Sequence, residues 1–364
     1  MLNKQIEKLW EEVREVSLGR EIPQLKTPPT PLELLREYIS PNKPCIISNS
    51  INHWPALSLW SSTPYLLTTL SSSPSVSLHL TPSGLADSLT PLSLQTPPPL
   101  CFASAHVDQL PFDKALSEVQ ESVKNKKVGY LQQQNDCFRS EYRGLEGDIE
   151  GDVPWASEAF GCLPEAVNIW VGNELSETSF HKDHYENMYA VVCGEKHFLL
   201  LPPTDVHRMY IRDYPAAQYR YSQDTGEFRL ELEDPVRYVP WCSVNPYPSE
   251  MEKEKAVAEF PLYFNGPKPF EVTVKAGQML YLPSMWFHHV RQTPDSRGLT
   301  VAINYWYDMK FDIKYAYFNF LQSLHWYSPK NSAFSHVRRE DVFQGLRKYL
   351  EEEDLDISES SLEH

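Results

Sequence analysis

Apolar residues Leu2, Ile6, Leu9, Trp10, Val13 and Val16 recur at the three- and four-residue spacing of an amphipathic helix. The stripe they make is expected to pack on the main body of the protein or on a second copy. Thr30-Pro31-Leu32-Glu33 supplies an N-cap, a first-turn proline and a capping-box acid, predicting a helix through about Tyr38. Beyond it the period changes. Short apolar runs at 44–48, 76–80, 128–132, 167–171, 188–192, 196–201 and 279–282 read as strands, most of them next to turn residues. Helical spacing returns at 111–124, 315–327 and 340–352.

Many short strands separated by proline-rich turns predict a mainly β chain built on a double-stranded β-helix, the jelly-roll barrel of cupins. The expected division is a helical and loop-rich extension over 1–125 and a barrel domain over 126–310, followed by closing helices over 311–350. Residues 203–267, rich in Tyr, Pro and acids, read as an insertion walling a substrate cleft. The Ser-, Thr- and Pro-rich stretch 71–99 reads as a loop-rich lobe around one short strand. Residues 351–364 are acidic and Ser-rich and are expected to be disordered; the final Leu362-Glu363-His364 resembles the remnant of an expression tag, so His364 is set aside.

Composition narrows the functional classes. The 364 residues are 41% hydrophobic and contain no apolar run long enough for a membrane span. The amphipathic, charged start does not resemble a signal peptide, so the expected location is the cytoplasm, with the nucleus second. Six cysteines lack any C-x-x-C pairing, which predicts reduced, mostly buried thiols rather than zinc modules or disulfides. A formal charge of −16 disfavours nucleic-acid binding, which needs lysine and arginine to neutralise phosphates.

With twelve histidines and about one acidic residue in seven, chance His-x-Asp/Glu matches are expected, and the chain has three. His106-Val-Asp108 sits among turn residues before a helical run. His184-Tyr-Glu186 overlaps His181-Lys-Asp183 one strand position out of phase. On a strand, His181 and Asp183 would leave the same face while Lys182 points away. A hairpin through Cys193-Gly194 would then return Lys196 beside them, within reach of the far carboxylate of a short diacid. Downstream, Gly277 opens the run that ends in Pro283-Ser-Met-Trp-Phe-His288-His289. The two histidines point to opposite faces, so one of them can be a third ligand, and periodicity does not choose between them. Two histidines and a carboxylate on one ion leave three cis positions open, the ligand set of non-heme Fe(II) oxygenases.

Val153-Pro-Trp-Ala-Ser-Glu-Ala-Phe-Gly161, His181-Lys-Asp-His-Tyr-Glu-Asn187, Gly194-Glu-Lys-His-Phe198, Leu282-Pro-Ser-Met-Trp-Phe-His-His-Val290 and Ile303-Asn-Tyr-Trp-Tyr-Asp308 together resemble the jumonji-C oxygenases of the cupin type, and most closely their lysyl-hydroxylase members. Trp54-Pro-Ala-Leu57 is similar too. The resemblance implies His288 as the distal metal ligand. It places Tyr130 and Thr178 with Lys196 around the far carboxylate of 2-oxoglutarate, and Asn187 and Asn304 beside that cosubstrate. It implies Fe(II), 2-oxoglutarate and O2, with ascorbate as an in vitro aid. The implied substrate is a lysine in a developmentally regulated GTP-binding protein of the translation-factor-related class, and a homodimer is common among relatives.

Asp rather than the Glu common in histone demethylases, and the absence of a cysteine-rich reader, favour hydroxylation. Demethylation of methylated lysine or arginine is the enzymatic alternative, and a non-catalytic cupin-fold binding module the other. No Cys-His or Ser-His arrangement stands out to suggest proteolysis. His184, His197 and His289 read as packing or hydrogen-bonded residues. Trp286-Phe287 and Tyr305-Trp306-Tyr307 read as core that also excludes water from the site.

Overall fold

The computed structural model describes residues 2–73, 75–92, 99–125 and 127–324. Eight strands form the barrel: β1 (Ala166–Gly172), β2 (Glu177–His181), β3 (Tyr185–Cys193), β4 (Glu195–Leu201), β5 (Phe270–Lys275), β6 (Met279–Leu282), β7 (Phe287–Thr293) and β8 (Thr300–Asp308). Except for the adjacent pair β4 and β5, successive strands switch between two sheets, one ordered β6-β3-β8-β1 and the other β5-β4-β7-β2. This is the double-stranded β-helix expected from the sequence.

Its connectivity corrects one expectation. β3 and β4 are not a hairpin: β3 bonds to β6 and β8, whereas β4 bonds to β5 and β7. Gly194 makes the corner between sheets at φ 73°, and a Cβ there would stand 2.7 Å from Thr293 O. Glycine tolerates both conditions. The crossing still brings Lys196 inward, because β4 faces β3 across the barrel instead of lying beside it.

The first sheet is buried on both faces, which is why its strands read as unbroken apolar runs. Tyr189, Val191, Leu280, Leu282 and Ala302 face the barrel interior with Phe198, Leu200, Val272 and Val290 of the second sheet. Met188, Ala190, Tyr281, Ile303 and Tyr305 face outward under Leu34, Trp54, Trp60 and Phe138 of the preceding chain. That extension also closes sheet edges. Cys45–Ile47 pairs antiparallel with β6, and Leu85–Ala86 pairs parallel with β2. Phe180, Leu199, Leu201 and Phe287 on the outside of the second sheet are covered by Val206, Met209 and Tyr263.

The helix predicted at Thr30 forms, with the Thr30 hydroxyl accepting from Glu33 N and Pro31 in the first turn. The N-terminal stripe is met in part. Ile6 and Trp10 are buried, but Val16 is 86% exposed and Leu18 takes the inward position. The helix Leu2–Val13 continues as a π-helical turn over Arg14–Leu18, and the wider turn shifts the phase of the stripe. The expected insertion lies between β4 and β5, and it and the stretch expected as a loop-rich lobe carry strands that the sequence pattern does not predict. Ser88–Pro91, Leu100–Ser104, Arg212–Ser222 and Glu227–Leu232 make one sheet whose central pairing joins residues more than a hundred apart. The last predicted helix at 340–352, the tail 351–364 and the end of the helix predicted at 315–327 lie outside the described residues; the helix seen there runs Ile313–Ser323.

Candidate metal centre

β2 and β7 are antiparallel neighbours in a register that sets His181 opposite His288, with a bulge between Thr178 and His181. The bulge turns the end of β2, and the two imidazoles come to 4.1 Å between ring centroids. Asp183 is not on the strand, as the sequence suggested, but two residues beyond its end. Its backbone carbonyl accepts from Met285 N at 2.9 Å. That bond ties the turn after β2 to the bend before β7 and brings Asp183 Oδ2 to 3.7 Å from His181 Nε2 and 3.6 Å from His288 Nε2. One ligand atom from each residue lies within 4.8 Å of the others.

The donors are also in the form that binds a metal. His181 Nδ1 is 2.9 Å from Ser179 O and His288 Nδ1 3.1 Å from Trp286 O. A carbonyl oxygen only accepts, so both Nδ1 atoms carry the proton and both Nε2 lone pairs face Asp183. Burial, followed by the neighbouring His181, pushes His288 down to about 4, which keeps its ring neutral. His289 faces the other way and pairs with Glu177 at 2.8 Å, which settles on geometry the choice left open by periodicity.

A cleft of about 420 Å³, partly continuous with solvent, is lined by the triad together with Tyr130, Thr178, Asn187 and Asn304. Asn304 Oδ1 accepts from Trp170 Nε1 at 2.7 Å, and Asn304 Nδ2 donates to Asn187 Oδ1 at 3.3 Å. Lys196 is 1% exposed, and its ammonium donates to Tyr130 OH at 2.9 Å. No carboxylate among the described residues pairs with it, and burial alone pushes it down to about 7. A buried ammonium without an anion is costly unless one is supplied. The donor set thus fits a divalent metal of Fe(II) type, and the Lys196–Tyr130 pair fits the carboxylate of a bound diacid.

The rival motifs lie elsewhere. His106 and Asp108 pair with each other at 3.0 Å on the strand His106–Leu110, which replaces the expected turn. Glu186 is buried against Tyr281 and Ser284. Sequence reasoning missed Gln134, Trp170 and Tyr189 in the cleft, and Trp241, whose ring lies parallel to His181 at 6.0 Å between centroids. Trp241 comes from the insertion, so local spacing carries no signal of its place beside His181.

An eight-stranded double-stranded β-helix carrying a two-histidine, one-carboxylate cluster at the end of its second strand defines a cupin-type metal site. A model of the cupin-like domain matches residues 31–313. The chain is 63% identical to "Lysine-specific demethylase JMJ32" of Arabidopsis thaliana, covering 88% of this chain and 91% of that protein. It is 41% identical to "Bifunctional peptidase and (3S)-lysyl hydroxylase JMJD7" of Homo sapiens, covering 85% and 92%. It is 37% identical to "JmjC domain-containing protein E" of Dictyostelium discoideum, covering 86% and 92%. The chain belongs to the JmjC family of cupin-like oxygenases, whose chemistry uses Fe(II) and 2-oxoglutarate.

Proposed function

We propose that this protein hydroxylates a lysine side chain in a protein substrate, and that the substrate is a developmentally regulated GTP-binding protein of the translation-factor-related class. In this reading His181, Asp183 and His288 hold Fe(II). Lys196, Tyr130 and Thr178 receive the far carboxylate of 2-oxoglutarate, and Asn187 and Asn304 border it. When bound, Fe(II) and 2-oxoglutarate supply the oxidising chemistry: O2 is consumed, 2-oxoglutarate leaves as succinate and CO2, and one oxygen atom enters the substrate C–H bond. The chain's own part is placement. Two backbone carbonyls fix the histidine tautomers, a buried ammonium orients the diacid, and Trp170, Tyr189 and Trp306 keep water from the reacting carbon. The reading extends to a cytoplasmic enzyme acting as a homodimer.

The observation that carries the oxygenase part is a triad lining one cleft whose wall residue Tyr130 is bonded by a buried, anion-seeking Lys196. The lysyl part is supported by the relative named as a lysyl hydroxylase. Demethylation of methylated lysine is the second reading, favoured by the name of the 63% identical relative. Both reactions begin at a C–H bond beside the same site, so products must decide. A lysine-containing GTPase peptide is incubated with the protein, Fe(II), 2-oxoglutarate, ascorbate and air, alongside its methylated form. A gain of one oxygen on the unmodified peptide, lost in His288→Ala, is the expected mass change. Loss of methyl groups with formaldehyde release, and no oxygen gain on the unmodified peptide, would replace hydroxylation with demethylation. Peptide binding without turnover of either form would leave a binding module.

A further inference from the structure

Beside the triad stands a carboxylate that the proposed metal and cosubstrate do not use. Asp87 follows the two-residue strand Leu85–Ala86, which runs parallel to β2 with Ala86 opposite Thr178 of the cleft. One position further along, Ser179 Oγ donates to the Asp87 carbonyl at 2.8 Å. Ser179 also accepts from Trp241 Nε1 at 3.0 Å, and its carbonyl holds His181 Nδ1. Asp87, Trp241 and the metal ligand His181 are therefore locked to one residue of β2.

The Asp87 side chain has no hydrogen bond or ion pair with any described residue. The titratable groups that face it are His79 and His181, and burial raises its pKa. His79 is itself held toward the neutral form by burial and bonds to Gln133 at 2.9 Å, so it does not serve as a counter-ion. Asp87 also sits at φ 50°, a left-handed conformation that a turn into this position requires. The protein thus holds a partly buried, unpaired carboxylate within the electrostatic reach of His181, on a residue whose backbone carbonyl shares Ser179 Oγ with Trp241, the ring parallel to His181.

One acid and one ring suit an alkylammonium. Methylenes pack on an aromatic face while the charged head takes a carboxylate. A trimethylated head has no N–H to donate, and its recognition calls for several rings around it. Resting on the lysyl-hydroxylase reading, we propose that Asp87 and Trp241 form the subsite for the unmethylated ammonium of the target lysine. Asp87 pairs with the head group, and Trp241 lines the stem.

The test compares wild type with Asp87→Asn on two peptides, one with lysine at the target position and one with norleucine, which keeps the stem without the ammonium. Oxygen gain is followed by mass spectrometry, and KM is read for each. Wild type should prefer lysine, and the variant should lose that preference, its KM for the lysine peptide rising roughly tenfold or more. A folding defect would weaken both peptides together and leave the lysine-to-norleucine ratio in place, so the ratio is the decisive readout. Hydroxylation by wild type with the ratio unchanged in the variant overturns this subsite alone. If wild type hydroxylates no lysine peptide but demethylates its methylated form, the functional reading falls and the subsite with it.

Discussion

The barrel and the β lobe beside it are both antiparallel-rich sheet, yet they are built on opposite terms. Every residue of β1 is buried, and in β8 only the last, Asp308, is exposed. In the lobe, Glu227–Leu232 has no buried residue, and Arg212–Ser222 is interrupted by exposed positions. The barrel is held by apolar burial on both faces of one sheet. The lobe is held by strand pairing over a small cluster of Cys101, Ala103, Ala217 and Tyr219. A polar residue in the lobe needs no explanation, whereas a polar residue inside the barrel must have a function that offsets its cost.

Truncation in the two regions measures that difference most directly. Ile303 in β8 is 0% exposed and packs under the N-terminal helices, so Ile303→Ala removes well-buried methyl groups and leaves a cavity. Denaturant unfolding should show a loss of about 2–5 kcal/mol. Leu232 at the end of the lobe sheet is 42% exposed, and Leu232→Ala should stay within about 0.5 kcal/mol. Equal losses would mean that the lobe carries as much of the fold as the barrel does.

The same contrast explains what was legible in the sequence. β1, β3, β4 and β6 were readable because two-sided burial leaves an uninterrupted apolar run. His181, Asp183, Lys196 and the 288–289 pair were readable because ligand chemistry restricts residue type at short spacing. The lobe strands were not readable: exposed strands carry little apolar pattern, and the pairing of Leu100–Ser104 with Arg212–Ser222 is set by partners far apart in sequence. The supposed β3–β4 hairpin failed for a related reason, since a glycine corner looks the same whether the chain returns in its own sheet or crosses to the facing one. Trp241 reaches His181 from that unreadable region.

Lys196 is the sharpest case of polarity inside the barrel. Its native ammonium is disfavoured by burial, which lowers its pKa from the ordinary lysine value of 10.5 to about 7. Below pH 7 both folded and unfolded chains carry the proton, and the cost of the buried charge is fully present. Between pH 7 and 10.5 the folded chain sheds the proton first, and the cost is relieved as pH rises. Lys196→Met without cosubstrate should therefore be more stable than wild type at pH 6, by roughly 1–4 kcal/mol. The gap should narrow by about pH 9. The same variant should bind 2-oxoglutarate on the order of a hundredfold more weakly by calorimetry, since the charge-assisted contact is gone. A variant that is less stable at every pH and binds normally would make Lys196 an ordinary structural residue.

Glu186 sits at the rim of the barrel, and its replacement gives a smaller effect than those at Ile303 and Lys196. Its carboxylate accepts from Tyr281 OH at 2.7 Å, Ser284 Oγ at 2.9 Å and Ser284 N at 3.2 Å. Ser284 precedes Met285, which adopts φ 68° and donates its N–H to the carbonyl of Asp183. Glu186 thus fixes the bend that holds Asp183 and leads into the strand bearing His288. Glu186→Gln keeps the shape but presents an amide N–H₂ where a second acceptor is needed. Unfolding should cost about 1–3 kcal/mol. Affinity for Fe(II), or for Mn(II) as a redox-stable probe, should fall about tenfold. Glu233 in the lobe makes the control: it pairs with Arg237 at 3.0 Å, with Arg237 61% and Glu233 36% exposed, and Glu233→Gln should change stability by less than about 1 kcal/mol and leave metal affinity alone. A loss of stability in Glu186→Gln with unchanged metal affinity would show that the bend supports the fold but does not position Asp183, and polarity at the rim would then belong with polarity in the lobe.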